Sequence, residues 1–259
     1  MSFPKKIFQT WKERDIEKYV FLSQWQKSWR DLNPTFEYVL WIDEDNRNFI
    51  AQKFPEFLET YDSYEQNIKR VDAVRYFYLY TYGGIYADMD FECLKPFDNI
   101  LEAGEHNGAD IILGNLGPMD DIKHAHHQIP NALMLSKPKQ DFWKCVIKAM
   151  TNAASNKTIS PEYATGPCLL TLCYDFYIHK GVYNKETLCA IYGKDIFEGV
   201  ADTVNFSSQL GVVLPKIFYP YSWGNKAHKE KYLNKSFTHE QAKSEFPDSY
   251  AVTYWIHSW

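Results

Sequence analysis

Two hydrophobic rhythms alternate along the first half of the chain. Lys6-Ile7-Phe8-Gln9-Thr10-Trp11 reads as a short strand, and the stretch through Phe21 to Trp29 has a helical period that ends near Asn33-Pro34. Phe36 to Ile42 is aromatic and β-branched, which predicts a second strand. Asp43-Glu44-Asp45-Asn46 then starts a turn or caps the next helix. From Tyr64 to Tyr82, Ile68, Val71, Val74 or Arg75, and Tyr78 recur at steps of three and four, and Gly83-Gly84 supplies the stop. A strand from Ile85 to Phe91 follows directly.

The second half alternates less regularly. Ile111 to Leu113 and Ala132 to Leu135 read as strands, Gln140 to Asn152 and Pro167 to Tyr177 as helices, and Val212 to Tyr219 as a late strand. Gly114 to Pro130 has no periodicity, and a loop of that length suits a lip over a site. Strands alternating with helices predict an α/β layer fold with a mostly parallel, Rossmann-like sheet flanked by helices, with ligands at the carboxyl ends of the strands. Residues 1–259 are expected to form one domain.

Composition narrows the function. A 45% hydrophobic, 17% aromatic chain can bury a full core. A net charge of -5 argues against gripping a nucleic-acid backbone. Five cysteines without a CxxC pair predict neither a disulfide framework nor a zinc knuckle and suit a reducing compartment. No signal-peptide core and no run of ~18 apolar residues appears, so the expectation is a protein without a transmembrane segment, cytoplasmic or at the membrane periphery. Asn-x-Ser/Thr triplets at Asn156, Asn205 and Asn234 are discounted in that compartment.

The chemistry concentrates in Tyr82-Gly83-Gly84-Ile85-Tyr86-Ala87-Asp88-Met89-Asp90. Strand alternation puts Tyr86, Asp88, Asp90 and Glu92 on one face, so two carboxylates meet at the end of a hydrophobic strand. A divalent cation neutralises such a pair, and oxygen ligands suit Mg²⁺ or Mn²⁺ carrying a diphosphate. Asp72 and Arg75 lie three apart on the preceding helix and share a face. Either they form an ordinary ion pair, or they hold sugar hydroxyls through charge-assisted hydrogen bonds. His124, His126 and His127 lack a cysteine partner, which weighs against zinc. Asp43 and Asp45 fit a helix cap better than a second metal site. An aspartyl phosphatase also uses Asp-x-Asp after a strand, but Glu92 stands where that class wants Thr or Val.

The stretch from Arg70 to Tyr76 and on through Gly83 to Asp90 resembles the DxD sugar-binding region of glycosyltransferase family 32, related to the yeast initiating α-1,6-mannosyltransferase and to clostridial glucosylating toxins. Ile7 to Trp11, Tyr38 to Trp41, Asn131-Ala132 with Ser136-Lys137-Pro138, and Thr165-Gly166-Pro167 resemble further segments of that family in order and spacing. The resemblance implies a GT-A fold and transfer of a hexose from a nucleotide sugar to a glycan or glycolipid, with retention of anomeric configuration. It implies Asp72 and Arg75 on the donor sugar, Asp88 on ribose and metal, and Asp90 on Mn²⁺ or Mg²⁺. Ile7, Trp11, Tyr86 and Trp259 would border the donor, and Asn131 would lie near the transferred sugar. The closing Thr253-Tyr254-Trp255-Ile256-His257-Ser258-Trp259 departs from the family's usual His-x-Trp step, and His257 is taken as the third metal ligand. A UDP-hexose donor and a capsule or lipopolysaccharide acceptor are favoured. A catalytically silent nucleotide-sugar binder is the alternative, alongside the phosphatase.

Overall fold

The computed structural model describes residues 2–117, 128–221, 230–233 and 237–256. The opening pattern folds as expected. Strand β1 (Lys6–Thr10) is followed by helix α1 (Val20–Leu32), strand β2 (Glu37–Trp41) and helices α2 (Asp43–Lys53), α3 (Pro55–Asp62) and α4 (Asn67–Tyr82). Asp45 caps α2, its Oδ2 accepting the Ile42 amide at 2.9 Å, in keeping with the helix-cap reading of that acidic run.

After α4 come β3 (Gly84–Ala87), β4 (Phe91–Cys93), α5 (Asp98–His106), β5 (Ile111–Gly114) and β6 (Leu133–Ser136). Helices α6 (Asp141–Ala153), α7 (Pro161–Ala164), α8 (Pro167–Ile178) and α9 (Lys185–Tyr192) lead to β7 (Leu210–Val213), α10 (Pro215–Phe218), α11 (His239–Glu245) and β8 (Ala251–Thr253). The late strand expected from Val212 to Tyr219 stops at Val213. Pro215 has no amide hydrogen for a ladder and opens a helical turn instead.

Six strands form one sheet in the order β2-β1-β3-β6-β5-β7, and β4 pairs with β8 in a two-stranded ribbon. β1 runs parallel to β2 and β3, β5 runs parallel to β7, and β6 runs antiparallel to both its neighbours. This is the mostly parallel sheet flanked by helices that was expected, with one reversed strand at its centre. Because β6 is reversed, its first residues lie beside the last residues of β3. The Asp88 amide donates to the Ala132 carbonyl at 2.8 Å across that junction.

The turn between α4 and β3 requires its glycines. Gly84 has φ +92°, and a Cβ there would stand 2.5 Å from the Lys6 carbonyl oxygen of β1. The close approach lets Ile7 pair with Ile85 and Phe8 with Tyr86.

α4 is buried from Val71 through Leu79 with no solvated stripe, as befits a helix enclosed on all sides. Val74, Phe77 and Tyr78 join Phe8, Tyr86, Val146 and Met150 in the larger core on one side of the sheet. Ile7, Ile85, Ala87 and Leu133 pack on the other. An Asp and an Arg on such a helix are forced to find partners inside the protein. All five cysteines are free, in line with the sequence reading. Among the described residues no helix is long and apolar enough to cross a membrane.

Candidate functional site

The strand expected to run from Ile85 through Phe91 breaks at Asp88. The Phe91 amide turns back to the Asp88 carbonyl at 3.1 Å, so Asp88-Met89-Asp90 is a tight turn between β3 and β4. Tyr86 and Asp88 do share a side as alternation predicts, the Tyr86 hydroxyl donating to Asp88 Oδ1 at 2.8 Å. Asp90 does not continue that alternation. It is held from the chain's far end, its Oδ2 accepting the Ile256 amide at 3.1 Å. Glu92 departs further. Its carboxylate is buried and accepts the Tyr254 hydroxyl and His239 Nδ1, so it belongs to the packing around β8.

Arg75 joins the helix to the turn. Its Nη2 lies 2.9 Å from Asp72 Oδ1 and its Nη1 3.2 Å from Asp88 Oδ1. Nη1 also donates to the Asn131 carbonyl at 2.8 Å, and the guanidinium sits 4.5 Å over the Tyr86 ring. Burial works to lower the guanidinium's pKa, but the charges of Asp88 and then Asp72 outweigh it, and the net direction is upward. Arg75 therefore stays charged.

Asp72 is completed by Asn131, whose amide nitrogen donates to Oδ1 at 3.0 Å and to the Tyr76 hydroxyl at 3.1 Å. Oδ2 has no hydrogen-bond partner among the described residues. The turn Thr165-Gly166 closes against it, and a Cβ on Gly166 would stand 3.2 Å from Asp72 Oδ2. Glycine at 166 keeps space beside that oxygen. Burial raises the Asp72 carboxyl to about 6 despite the opposing Arg75 charge. Burial, with the Asp88 charge after it, moves Asp90 in the same direction.

That effect of Asp88 on Asp90 tests the fit of a divalent cation. Two neighbouring carboxylates disfavour each other's charge, both present hard oxygen donors, and a cation between them would relieve the repulsion. The donor set fits Mn²⁺ or Mg²⁺. Among the described residues no group of three or more candidate ligands gathers. His257 and Trp259, expected as third ligand and donor neighbour, lie outside the described residues, as do His124, His126 and His127.

Ile7 is 1% exposed and faces the core with Ile85 and Leu133, because its place in the alternation of β1 aims it inward. Trp11 is also buried, packed with Met89 and Trp25 and edge-on to Tyr19 at 5.6 Å. It forms part of the floor beneath the aspartate turn. Tyr86 and Arg75 are buried too, each in contact with the Asp88 carboxylate.

Sequence reasoning passed over Gln9 and Tyr76. Gln9 donates through Nε2 to the Asp88 carbonyl at 3.1 Å, while its Oε1 accepts the Tyr38 hydroxyl at 2.6 Å. A polar residue inside an otherwise apolar strand was the available signal. Tyr76 binds the Thr165 carbonyl at 2.8 Å and so ties α4 to the Thr-Gly-Pro turn.

Residues 21–106, which run from the second residue of α1 to the end of α5 and include the whole Asp72 to Asp90 block, match the model of the glycosyltransferase sugar-binding region containing a DXD motif. Over those residues the chain is similar to that sugar-binding region. It is 54% identical over 101 residues to inositol phosphoceramide mannosyltransferase 3 of Schizosaccharomyces pombe, covering 39% of this chain and 28% of that one. It is 35% identical over 180 residues to mannosyl phosphorylinositol ceramide synthase CSH1 of Saccharomyces cerevisiae, covering 67% of this chain and 43% of that one. The match thus spans less than half the length of these curated relatives. The solved PaToxG glycosyltransferase aligns over 92% of this chain and 86% of its own at a TM-score of 0.45 and 15% identity.

Proposed function

We propose that this chain is a metal-dependent glycosyltransferase that moves one hexose from a nucleotide sugar to a glycolipid or glycan, with retention of configuration. The observation that carries the reading is the single buried Arg75 clamping Asp72 on the helix and Asp88 at the turn, with Asp90 one step beyond. That clamp fixes two carboxylates from different elements around one small volume. Positioning of this kind supplies much of the rate enhancement in a group transfer that needs no protein nucleophile.

Asp72 Oδ2 and the space left by Gly166 are suited to sugar hydroxyls, and Asn131 and Arg75 keep that carboxylate oriented. Asp88 and Asp90 would hold Mn²⁺ or Mg²⁺. The ion's contribution is Lewis-acid stabilisation of the departing diphosphate. Gln9 and the Ala132 carbonyl hold the Asp88 backbone so that its carboxylate does not swing with substrate.

Two curated relatives are named for mannose and for an inositol phosphoceramide acceptor. Their names favour a mannosyl donor and a phosphorylated glycolipid acceptor over the UDP-hexose and capsular or lipopolysaccharide glycan that the sequence suggested. A thermal-shift screen of GDP-mannose against UDP-, CMP- and dTDP-sugars, with and without Mn²⁺, tests this directly. A manganese-dependent rise with GDP-mannose alone supports the reading, a rise with a UDP-sugar restores the first choice, and no rise with any of them removes the transferase assignment.

A further inference from the structure

The stretch from Thr253 to Ile256 wraps around Asp90. The Thr253 hydroxyl donates to the Asp90 carboxylate, the Tyr254 amide to the Asp90 carbonyl at 3.0 Å, and the Ile256 amide to Oδ2 at 3.1 Å. Two amides two positions apart reach one residue because the backbone turns sharply between them. Trp255 makes that turn at φ +51°, in the left-handed region that a bulky side chain disfavours. A residue held there relaxes to ordinary backbone unless its surroundings over-determine the conformation. The clasp on Asp90 therefore depends on what fixes Trp255 and its neighbours.

Two anchors do so. The Trp255 ring stacks on Tyr219 at 5.8 Å, and its amide donates to Thr253 Oγ1 at 3.3 Å. The Tyr254 ring lies parallel to Trp25 at 4.5 Å, and its hydroxyl donates to Glu92 Oε2.

Glu92 takes no part in the transfer chemistry proposed above, yet it is a carboxylate at 6% exposure. Burying such a group costs free energy unless its oxygens are hydrogen-bonded. Oε1 is met from α11 by His239 Nδ1 at 2.6 Å, and Nδ1 carries the hydrogen because a carboxylate only accepts. Thr238 and Gln241 form a capping box that fixes the first turn of α11, and His239 with it. If packing were the whole purpose, an apolar residue between the buried Phe91 and Cys93 would serve without the desolvation cost. What the carboxylate adds is direction: two oriented hydrogen bonds set where Tyr254 lies, and the Tyr254 amide is one of the groups holding Asp90.

We propose that Glu92 and His239 are positioning residues for Asp90: through the Tyr254 hydroxyl they keep the Thr253–Ile256 clasp in its strained form and so aim the Asp90 carboxylate at the ion. The ion's part in this rests on the transferase reading, while the hold on the clasp does not.

The test applies two measurements to the full chain, amide hydrogen exchange at Tyr254 and Ile256 in EDTA and calorimetric titration with Mn²⁺. The variants are His239→Leu, His239→Asn, whose side-chain nitrogen can still donate to Glu92, and Tyr254→Phe, which keeps the ring against Trp25. In His239→Leu and Tyr254→Phe, exchange at both amides is expected to quicken and Mn²⁺ affinity to weaken, each about tenfold or more, with His239→Asn close to wild type. A third of the His239 side chain is exposed, so its replacement spares the core, and Tyr254→Phe repeats the test from the other side of Glu92. Exchange unchanged in both variants overturns the proposal, as does faster exchange with Mn²⁺ affinity unchanged. His239→Asn as impaired as His239→Leu also overturns it, because a general loss of packing would not distinguish them. Wild type that binds no Mn²⁺ removes the metal reading instead, and the exchange rates in EDTA still decide whether Glu92 and His239 hold the clasp.

Discussion

Arg75 and Asp88 meet at 3.2 Å although thirteen positions separate them, one inside a fully enclosed helix and the other at the end of the central strand. Through that contact and the 2.9 Å contact to Asp72, a single cation holds two carboxylates that would otherwise repel. Its loss would be felt at both.

Replacing Arg75 by Ala therefore leaves two carboxylates in the interior without their counter-charge. Breaking a buried pair from one side costs roughly 3–5 kcal/mol. Arg75→Ala is expected to unfold at markedly lower temperature and to lose donor binding. Arg75→Lys should fold better yet remain at least ~100-fold less active, since one ammonium cannot span both partners. Calorimetric melts and transfer assays on the two variants check this, and wild-type activity in Arg75→Lys would contradict the clamp.

Asp90 separates metal binding from folding. Asp90→Ala is expected to abolish Mn²⁺-dependent donor binding and turnover while preserving the circular dichroism spectrum, because its carboxylate is held by the Ile256 amide and the Thr253 side chain and joins no ion pair among the described residues. Titration of Mn²⁺ by calorimetry reads the outcome. Full activity in this variant would remove the metal assignment.

The pH dependence of the metal-free protein follows from Asp72. Its carboxyl titrates at about 6 in the native state and near the usual carboxylate value when unfolded. Between pH ~4 and ~6 the native state keeps a proton that the unfolded chain has released, so this group's contribution to stability falls as pH rises through the window. The effect is on the order of 1–3 kcal/mol, or several degrees in melting temperature. In EDTA, the melting temperature of wild type minus that of Asp72→Asn should decline from pH 4 to 6. A rising difference would show the carboxyl to be stabilised as its anion.

Gly166→Ala tests the space beside Asp72. The added methyl would meet the Glu162 Cα at 2.9 Å and the Pro161 carbonyl at 3.0 Å, both backbone atoms that cannot swing aside. The turn must move and Asp72 Oδ2 with it. A loss of about 1–3 kcal/mol in stability, typical of overpacking, should accompany weaker donor binding. A crystal structure of the variant with Asp72 in place and donor binding intact would show that glycine is dispensable there.

The sequence was most readable where local rhythm and tertiary environment agree. β1, α1, β2 and α4 follow the expected bounds within a few residues, and Gly83-Gly84 marks the stop because only glycine tolerates the approach to Lys6. Asp72 and Arg75 were legible as a pair from their spacing. Their complete burial was not, because an enclosed helix has no amphipathic stripe to show which face is inside. Extrapolated alternation carried the strand too far through Asp90, since the turn is set by a long-range bond to Ala132 that no local pattern records. Ile7 was assigned to the nucleoside by family position alone, and the side of the sheet its side chain packs on was not read from the strand's alternation.

β4 pairs with β8, aligning Phe91 with Thr253 and Cys93 with Ala251. The order of synthesis thereby gains a consequence. An emerging chain can build α4, β3 and the Arg75 clamp early, but Asp90 receives its backbone anchor only after Ile256 has left the ribosome. The aspartate turn is closed across 166 positions of chain, so the nascent protein passes through a long interval folded around α4 and still open at Asp90.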